Sequence, residues 1–277
     1  MGKLYVVGTP IGNLGDFSPR AVEILNSVDF IAAEDTRVTQ KLLNRFEIKK
    51  PTISYFEHNR REKGEYILSR IENGENCALV TDAGMPAISD PGEDLVQDAH
   101  IRGISVESVP GPTAFATALA ISGMPSGRFT FEGFVSQNKL SRKEHLEGLI
   151  DETRTMIFYE APHKLMRTLE DFKNTFGTNR KIAVVKELTK IHENVFISSI
   201  GEAIEFFTQN DPKGEFVLIV QGKEKIEKQQ MTLEDAVKLA NDYMKEGIGS
   251  SEAAKRAAKV SKIKKSDIYS ELQKSKF

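Results

Sequence analysis

The strongest constraint on this chain is an alternation. In its first 120 residues, short apolar runs at 4–7, 30–33, 52–56, 78–81 and 105–109 take turns with stretches of helical spacing at 19–26, 37–46, 62–72 and 93–102. Short apolar runs bounded by turn residues read as strands, and stretches with a 3.6-residue period read as helices. Strands that alternate with helices make a parallel sheet covered on both faces, because each crossover lays a helix against the sheet. Ser18 before Pro19 is a sharp helix start: the hydroxyl accepts an orphan amide, and proline sits where no amide is needed.

The run Thr113–Ile121 is a helix of small residues, and Ser122-Gly-Met-Pro-Ser-Gly-Arg128 then breaks the pattern. Further strands are predicted at 129–134, 155–159, 182–186, 195–198 and 216–220, with helices at 164–173 and 202–208. Ser141-Arg-Lys-Glu144 reads as a capping box opening another helix. The close spacing of the last three strands predicts some antiparallel pairing. Residues 223–230 form a charged link without Gly or Pro, followed by helices at 233–245, 252–259 and 267–274, the first capped by Thr232. The expected organisation is an N-terminal parallel α/β domain at 1–121, a second α/β domain at 122–224 and a basic helical appendage at 225–277 that resembles a helix-turn-helix unit.

Hydrophobic residues are 39% and charged residues 28% of the 277, which suits packed cores rather than general disorder. The one cysteine, Cys77, excludes an internal disulfide and any multi-cysteine metal site, and fits a reducing, cytoplasmic setting. No apolar run reaches the ~18 residues of a membrane span, and the N-terminal apolar stretch is too short for a signal peptide. Net charge is −2, but residues 223–277 carry 13 Lys and Arg against 9 Asp and Glu, a local +4. Six basic residues and no acidic one fall between Lys255 and Lys265. On charge alone that run reads first as a solvated helix face, and more sharply as a phosphate-binding patch.

The unusual residues sit just after predicted strands, where ligands of open α/β sheets bind. The loop Val7-Gly-Thr-Pro-Ile-Gly-Asn-Leu-Gly15 has neither the dinucleotide glycine spacing nor a Gly-Lys-Ser/Thr, so it is not a known phosphate loop and serves as well as a structural turn. Thr81-Asp-Ala-Gly-Met-Pro-Ala-Ile-Ser-Asp-Pro-Gly92 is longer than a turn requires and reads as a binding loop. Val109-Pro-Gly-Pro-Thr113 leads into the small-residue helix. In the second half, Phe158-Tyr-Glu-Ala-Pro-His163 and Lys186-Glu-Leu-Thr-Lys-Ile-His-Glu193 end strands with charged groups, and Lys213-Gly-Glu215 precedes the last strand.

Together with Ala33-Glu-Asp-Thr-Arg37, these motifs resemble, in order and over roughly residues 3–222, the bacterial small-subunit ribosomal RNA cytidine 2′-O-methyltransferases, a branch of the tetrapyrrole methylase superfamily. Relatives that modify tetrapyrroles carry Gly-Asp-Pro where this chain has Ala83-Gly84-Met85, which argues against a porphyrinoid substrate. The resemblance implies two α/β domains with S-adenosylmethionine in the cleft between them. Cofactor contacts carried over are Pro10, Asp82, Ala83, Gly84, Met85, Ile88, Ser89, Thr113, Ala114, Tyr159, Glu160 and Leu188, with no metal.

A 2′-hydroxyl attacks well only if its proton is accepted. Asp35, Glu160, Lys186 and Glu187 are the candidate catalytic residues. Glu34 is also considered, but strand alternation is expected to turn it away from the cleft while Asp35 faces it; Asp35 serves equally as a helix cap or a partner of Arg37. Candidate RNA contacts are Arg37, His58, Arg60, Arg61, Arg142, Lys143, Lys255, Arg256, Lys259 and Lys262. The expected partner is small-subunit ribosomal RNA or the assembled subunit, and the expected state a homodimer. Two other readings stay open: a methylase of a small, tetrapyrrole-like molecule, and a non-catalytic RNA-binding assembly factor.

Overall fold

The computed structural model describes residues 1–224 and 231–274, so most of the charged link at 223–230 lies outside the described residues. The first sheet contains β1 (Lys3–Val7), β2 (Phe30–Ala33), β3 (Thr52–Ser54), β4 (Cys77–Val80) and β5 (Ser105–Val109). Its order is β3-β2-β4-β1-β5 and every pairing is parallel. Helices α1 (Pro19–Ser27) and α2 (Thr36–Arg45) cover one face through Ala21, Leu25 and Leu43. Helices α3 (Arg60–Glu72) and α4 (Gly92–Ile101) cover the other through Ile67, Leu68, Ile71, Leu95 and Ala99. Alternate residues of one strand therefore enter different cores: Phe30 and Ala32 meet α3 and α4, whereas Ile31 and Ala33 meet α1 and α2. Ser18 caps α1 by accepting the Ala21 amide, with Pro19 at the first turn, as the sequence predicts. Cys77 is fully buried, and burial pushes its thiol up to about 12.

A second five-stranded sheet follows: β6 (Phe129–Phe134), β7 (Thr155–Glu160), β8 (Lys181–Lys186), β9 (Asn194–Ser199) and β10 (Phe216–Val220). The order is β6-β7-β10-β8-β9, with only β6 and β7 parallel. The expected antiparallel pairing is present along β10, β8 and β9. One face packs against α6 (Lys139–Gly148), α7 (Leu165–Phe176) and α8 (Ile200–Gln209).

The other face packs against α5 (Ala114–Ile121) through Ala118 and Leu119. This helix follows β5 of the first sheet directly but belongs to the core of the second, so the boundary expected after Ile121 falls beyond a helix that both halves share. Its small residues allow the close approach to the sheet. The capping box expected at Ser141–Glu144 is absent. The helix starts three residues earlier, capped by Asn138, which accepts the Leu140 and Ser141 amides. A capping box is found instead at Ser199 and Glu202, opening α8.

The chain divides into two units, residues 1–223 and 224–277. The second contains α9 (Leu233–Lys245), α10 (Ser250–Ser261) and α11 (Lys265–Lys274) around a core of Ala236, Ala240, Ala253, Ala254, Ala257, Ile268 and Leu272. Thr232 caps α9 in a full box with Asp235. Among the described residues no helix is long and apolar enough to cross a membrane.

The glycines after β1 and β5 have a steric reason. A Cβ at Gly111 would lie 2.8 Å from the Gly8 Cα, closer than real Cβ atoms come to backbone. Gly111→Ala should therefore cost about 1–3 kcal/mol in urea denaturation through overpacking. Gly148 in α6 has open space around its Cβ position. Gly148→Ala should raise stability by about 0.4–1 kcal/mol, because it narrows the unfolded ensemble in a helix-compatible position.

Candidate active site

Strands β2 and β4 are neighbours, but β2 leads on to the β3 edge and β4 toward the β5 edge. Their outgoing loops part at that point and leave a crevice at the carboxyl ends. A cavity of about 440 Å³ opens there, within the size range of small-molecule sites. The first sheet and its loops supply Ile11, Glu34, Thr81–Ser89 in part, Asp90, Thr113 and Ala114. The second supplies Phe134, Tyr159, Glu160, Ala161, Pro162, Val185, Leu188, Glu215, Phe216 and Val217.

Loop geometry is fixed by backbone pairing. The Thr9 amide donates to the Gly84 carbonyl at 2.9 Å, and the Gly84 amide donates back to Thr9 at 3.1 Å. The Thr9 hydroxyl donates to the Thr81 carbonyl at 3.1 Å. Gly84 has φ +92°, a region that favours glycine. Farther along, Ala87 (φ 64°) and Ser89 (φ 67°) are left-handed without being glycine. Such residues persist only where their surroundings over-determine them, and they concentrate at functional sites. Asp90 does the holding here: its carboxylate accepts the Ala87 amide at 3.0 Å and the Gly92 amide at 2.8 Å.

Among the described residues, five carboxylates line the cavity, Glu34, Asp82, Asp90, Glu160 and Glu215, and no Lys or Arg does. Glu34 accepts the Thr81 hydroxyl at 2.5 Å. Asp82 accepts the Asp35 amide at 3.1 Å. Burial pushes the Asp82 carboxyl up, and the neighbouring Glu34 adds to the effect. Burial likewise raises Asp90. Glu160 ends β7 almost fully buried; it accepts the Ala161 amide at 2.8 Å and the Thr168 hydroxyl. Thr168 in turn accepts from Arg142 at 2.8 Å. The threonine has one proton and gives it to Glu160, so the chain of donors runs one way, from guanidinium to hydroxyl to carboxylate.

Of the twelve residues expected at the cofactor, eleven line this cavity: Asp82, Ala83, Gly84, Met85, Ile88, Ser89, Thr113, Ala114, Tyr159, Glu160 and Leu188. Pro10 does not; its neighbours Thr9 and Ile11 tie and line the loop. The Tyr159 hydroxyl accepts the Phe115 amide at 3.1 Å, joining the second sheet to the start of α5.

The catalytic candidates divide differently. Glu34 and Asp35 do take opposite sides, but in the reverse sense to the expectation. Glu34 lines the cavity, whereas Asp35 caps α2, accepts the Arg37 amide and pairs with the Arg37 guanidinium at 2.7 Å. Those Arg37 bonds hold the Asp35 carboxyl down at about 2. The helix start claims Asp35 before the cleft can. Lys186 and Glu187 also lie off the lining. Glu187 accepts the Glu215 amide and the Lys190 ammonium, both at 3.0 Å, and so supports Glu215. Sequence reading has Asp90 inside the binding loop at 81–92 and Ile11 inside the loop after β1 without giving either a role, and it misses Phe134, which its pattern marks only as a strand residue.

Among the RNA candidates, Arg142 is a correction. It is buried and bonded to Asp171, Thr168 and the Ser136 carbonyl, because its long side chain crosses to α7. Arg60 pairs with Asp94 at 2.8 Å. His58, Arg61 and Lys143 are exposed. The basic stretches at 58–63 and 139–143 are helix starts rather than free loops. In the second unit, Lys255 and Arg256 share Glu252 at 3.5 and 3.9 Å, Lys259 is exposed on α10, and Lys262 ends it in the left-handed region.

A family model described as "Tetrapyrrole (Corrin/Porphyrin) Methylases" matches residues 3–204. A ribosomal RNA small subunit methyltransferase I from Synechocystis sp. is 45% identical over 97% of this chain and 96% of its own length. Its Bacillus subtilis counterpart is 42% identical over 97% and 93%. Among solved structures, a diphthine synthase superposes with TM-score 0.62 at 13% identity, covering 80% of this chain and 90% of its own. A uroporphyrin-III-C-methyltransferase from Thermus thermophilus gives 0.57 at 18% identity, covering 80% and 94%. The last two show a shared fold.

The buried Arg142–Thr168–Glu160 chain has a measurable consequence. Thr168→Val keeps the shape and removes the hydroxyl, leaving a buried guanidinium and carboxylate each short of a partner. Urea denaturation should show a loss of about 1–3 kcal/mol. Thr168→Ser should recover most of it; equal losses for both substitutions would reduce the chain to simple packing.

Proposed function

Because this chain belongs to the tetrapyrrole (corrin/porphyrin) methylase family, and within it to the ribosomal RNA small subunit methyltransferase I proteins, we propose that it is an S-adenosylmethionine-dependent enzyme that methylates the 2′-hydroxyl of a cytidine ribose in small-subunit (16S) ribosomal RNA. One observation carries the cofactor reading: among the described residues the cavity is lined by five carboxylates and no Lys or Arg. An anionic phosphate entering it would meet like charges in a partly desolvated space. A ligand with a sulfonium and an ammonium against one carboxylate has the opposite sign and is favoured there. Its adenine requires an apolar slot, and Ile11, Met85, Ala114, Val185, Leu188 and Val217 supply one. Gly84 contributes close approach rather than hydrogen bonds, since Thr9 already takes both its amide and its carbonyl.

The bound cofactor supplies a methyl group already activated by the positive sulfur. The residues of this chain orient the ribose oxygen and take its proton. Orientation alone can supply much of such a rate, and a positioned base adds about 10²–10⁴-fold. Glu34 and Glu160 are the carboxylates with the required setting, each in the cavity wall with an oxygen fixed by a threonine hydroxyl. Asp35, Lys186 and Glu187 have the roles of cap, strand end and support.

RNA phosphates are held outside the cavity. Arg37, His58, Arg61 and Lys143 serve the first unit, and Lys255, Arg256, Lys259 and Lys262 the second. Residues 1–121 and 122–224 make the two α/β domains, with α5 as an arm of the first on the second sheet, and 225–277 the appendage. The same reading has the protein act in the cytoplasm, as a homodimer, on ribosomal RNA or the assembled subunit.

The direct test supplies S-adenosylmethionine with a labelled methyl group and small subunits from cells lacking this protein. Label should appear on a cytidine ribose, located by nuclease digestion and mass mapping. Label on a base, or transfer to a tetrapyrrole with none to RNA, would overturn the assignment.

Replacing Lys255, Arg256, Lys259 and Lys262 together by Ala should weaken RNA binding and leave cofactor affinity unchanged. The slope of log affinity against log salt should shrink by about 0.7–0.9 for each phosphate no longer neutralised. An unchanged slope would make the patch a solvated surface.

A further inference from the structure

Two apolar side chains stand exposed at the cavity, one from each sheet's side. Ile88 is 40% exposed and Phe134 is 60% exposed, although both line the cavity. Leaving a phenylalanine ring in water forgoes the stabilisation that burial gives. The backbone holds them there by unusual means. Ile88 lies between the left-handed Ala87 and Ser89, a conformation held by the Asp90 carboxylate. Phe134 follows a bulge in β6, where the register with β7 slips between Phe131 and Gly133, and Gly133 has φ 63°. A bulge of this kind re-aims the side chain that follows it. The two devices meet: a Cβ at Gly133 would stand 3.7 Å from the Ser89 hydroxyl oxygen. Tyr159 braces Phe134 from within the cavity, edge to face, with ring centroids 5.5 Å apart.

We propose that Ile88 and Phe134 form a clamp for the target nucleobase, gripping it unstacked at the mouth while its ribose reaches into the cavity. This rests on the RNA substrate reading above. RNA bases are read by proteins when splayed out and stacked on aromatic rings. An aromatic face binds any base without needing a charge, and among the described residues the cavity wall offers no cation for the backbone. The ring therefore suits the base, and the phosphates stay outside. A stacked base also fixes the ribose direction, so the clamp makes Phe134 a positioning residue for the hydroxyl as well as a binding one.

The experiment is single-turnover methylation of undermodified small subunits by wild type, Phe134→Ala, Phe134→Trp and Ile88→Ser, each checked by thermal melting and by calorimetry with S-adenosylmethionine. Phe134→Ala should raise the enzyme concentration giving half-maximal rate about tenfold or more, a typical loss for one stacked base. Its salt slope should match wild type, because the ring neutralises no phosphate. Phe134→Trp should restore the affinity, and Ile88→Ser should fall between. Cofactor affinity should stay within about twofold for both Phe134 variants. A parallel loss of cofactor affinity would assign the ring to the cofactor and overturn the clamp. Wild-type behaviour of both Phe134→Ala and Ile88→Ser would also overturn it while leaving the RNA reading intact. A wild-type protein that leaves the subunits unmethylated would overturn that reading, and the clamp with it.

Discussion

The Thr9–Gly84 pairing ties together two loops that leave adjacent strands in different directions. Two backbone hydrogen bonds and one hydroxyl bond, to Thr81, join the turn after β1 to the turn after β4. Beside them, Gly8 and Gly111 pass so closely that neither has room for a Cβ. The three loops at the carboxyl edge are thus packed against one another before any ligand arrives. The cavity wall inherits this order: Gly84, Met85 and Ile11 are set by the pairing, and Thr113 and Ala114 by the turn through Gly111. A wall built on backbone bonds and steric contact is more exact than one built on long side chains, and methyl transfer depends on exact placement.

The same economy governs the carboxylates. Each acidic group in the wall has a fixed local partner: Thr81 for Glu34, the Asp35 amide for Asp82, two loop amides for Asp90, Thr168 for Glu160, Lys190 for Glu215. Hydrogen bonds to the charged form favour it, whereas burial and like neighbours oppose it. In Asp82 and Asp90 burial prevails and the pKa rises. These groups bind a proton more tightly folded than unfolded, so ionising them costs stability as pH rises past the ordinary aspartate value of about 3.9. A cationic ligand offsets that cost. Lys190 already plays that part for Glu215, and the carboxylates of the wall are complementary in sign to the sulfonium compound the family uses.

How much of this is legible in the sequence depends on whether the determining interaction is local. Strands and helices of the first sheet follow from period and turn residues, and the observed ends differ by one or two residues. Parallel order follows from alternation. The binding loop at 81–92 is legible as twelve residues where a turn needs fewer. What fails needs distant partners. Arg142 looks like a surface base until Asp171 and Thr168, more than twenty residues later, are folded beside it. Strand alternation rightly puts Glu34 and Asp35 on opposite sides, but the sequence pattern contains no sign of which side faces the cleft; the cap on α2 decides it. Phe134 is one more hydrophobic residue at a strand end until the bulge at Gly133 exposes it.

Helix α5 shows why the halves cannot be treated as independent pieces. It begins at the first sheet's edge, with Thr113 and Ala114 in the cavity wall, and buries Ala118 and Leu119 against Ile157, Ala183 and Ile219 of the second sheet. The Tyr159 hydroxyl accepts the Phe115 amide, one of the first-turn amides that the helix itself leaves without a partner. Gly12, in the loop after β1, leaves no room for a Cβ against the Leu188 carbonyl, 2.9 Å away. The second sheet's Leu188 is thus held by the first sheet's loop, and the first sheet's helix by the second sheet's core. Each wall of the cavity is braced from the opposite side, so the small-residue helix joins the wall that holds Glu34, just after β2, to the wall that holds Glu160 at the end of β7.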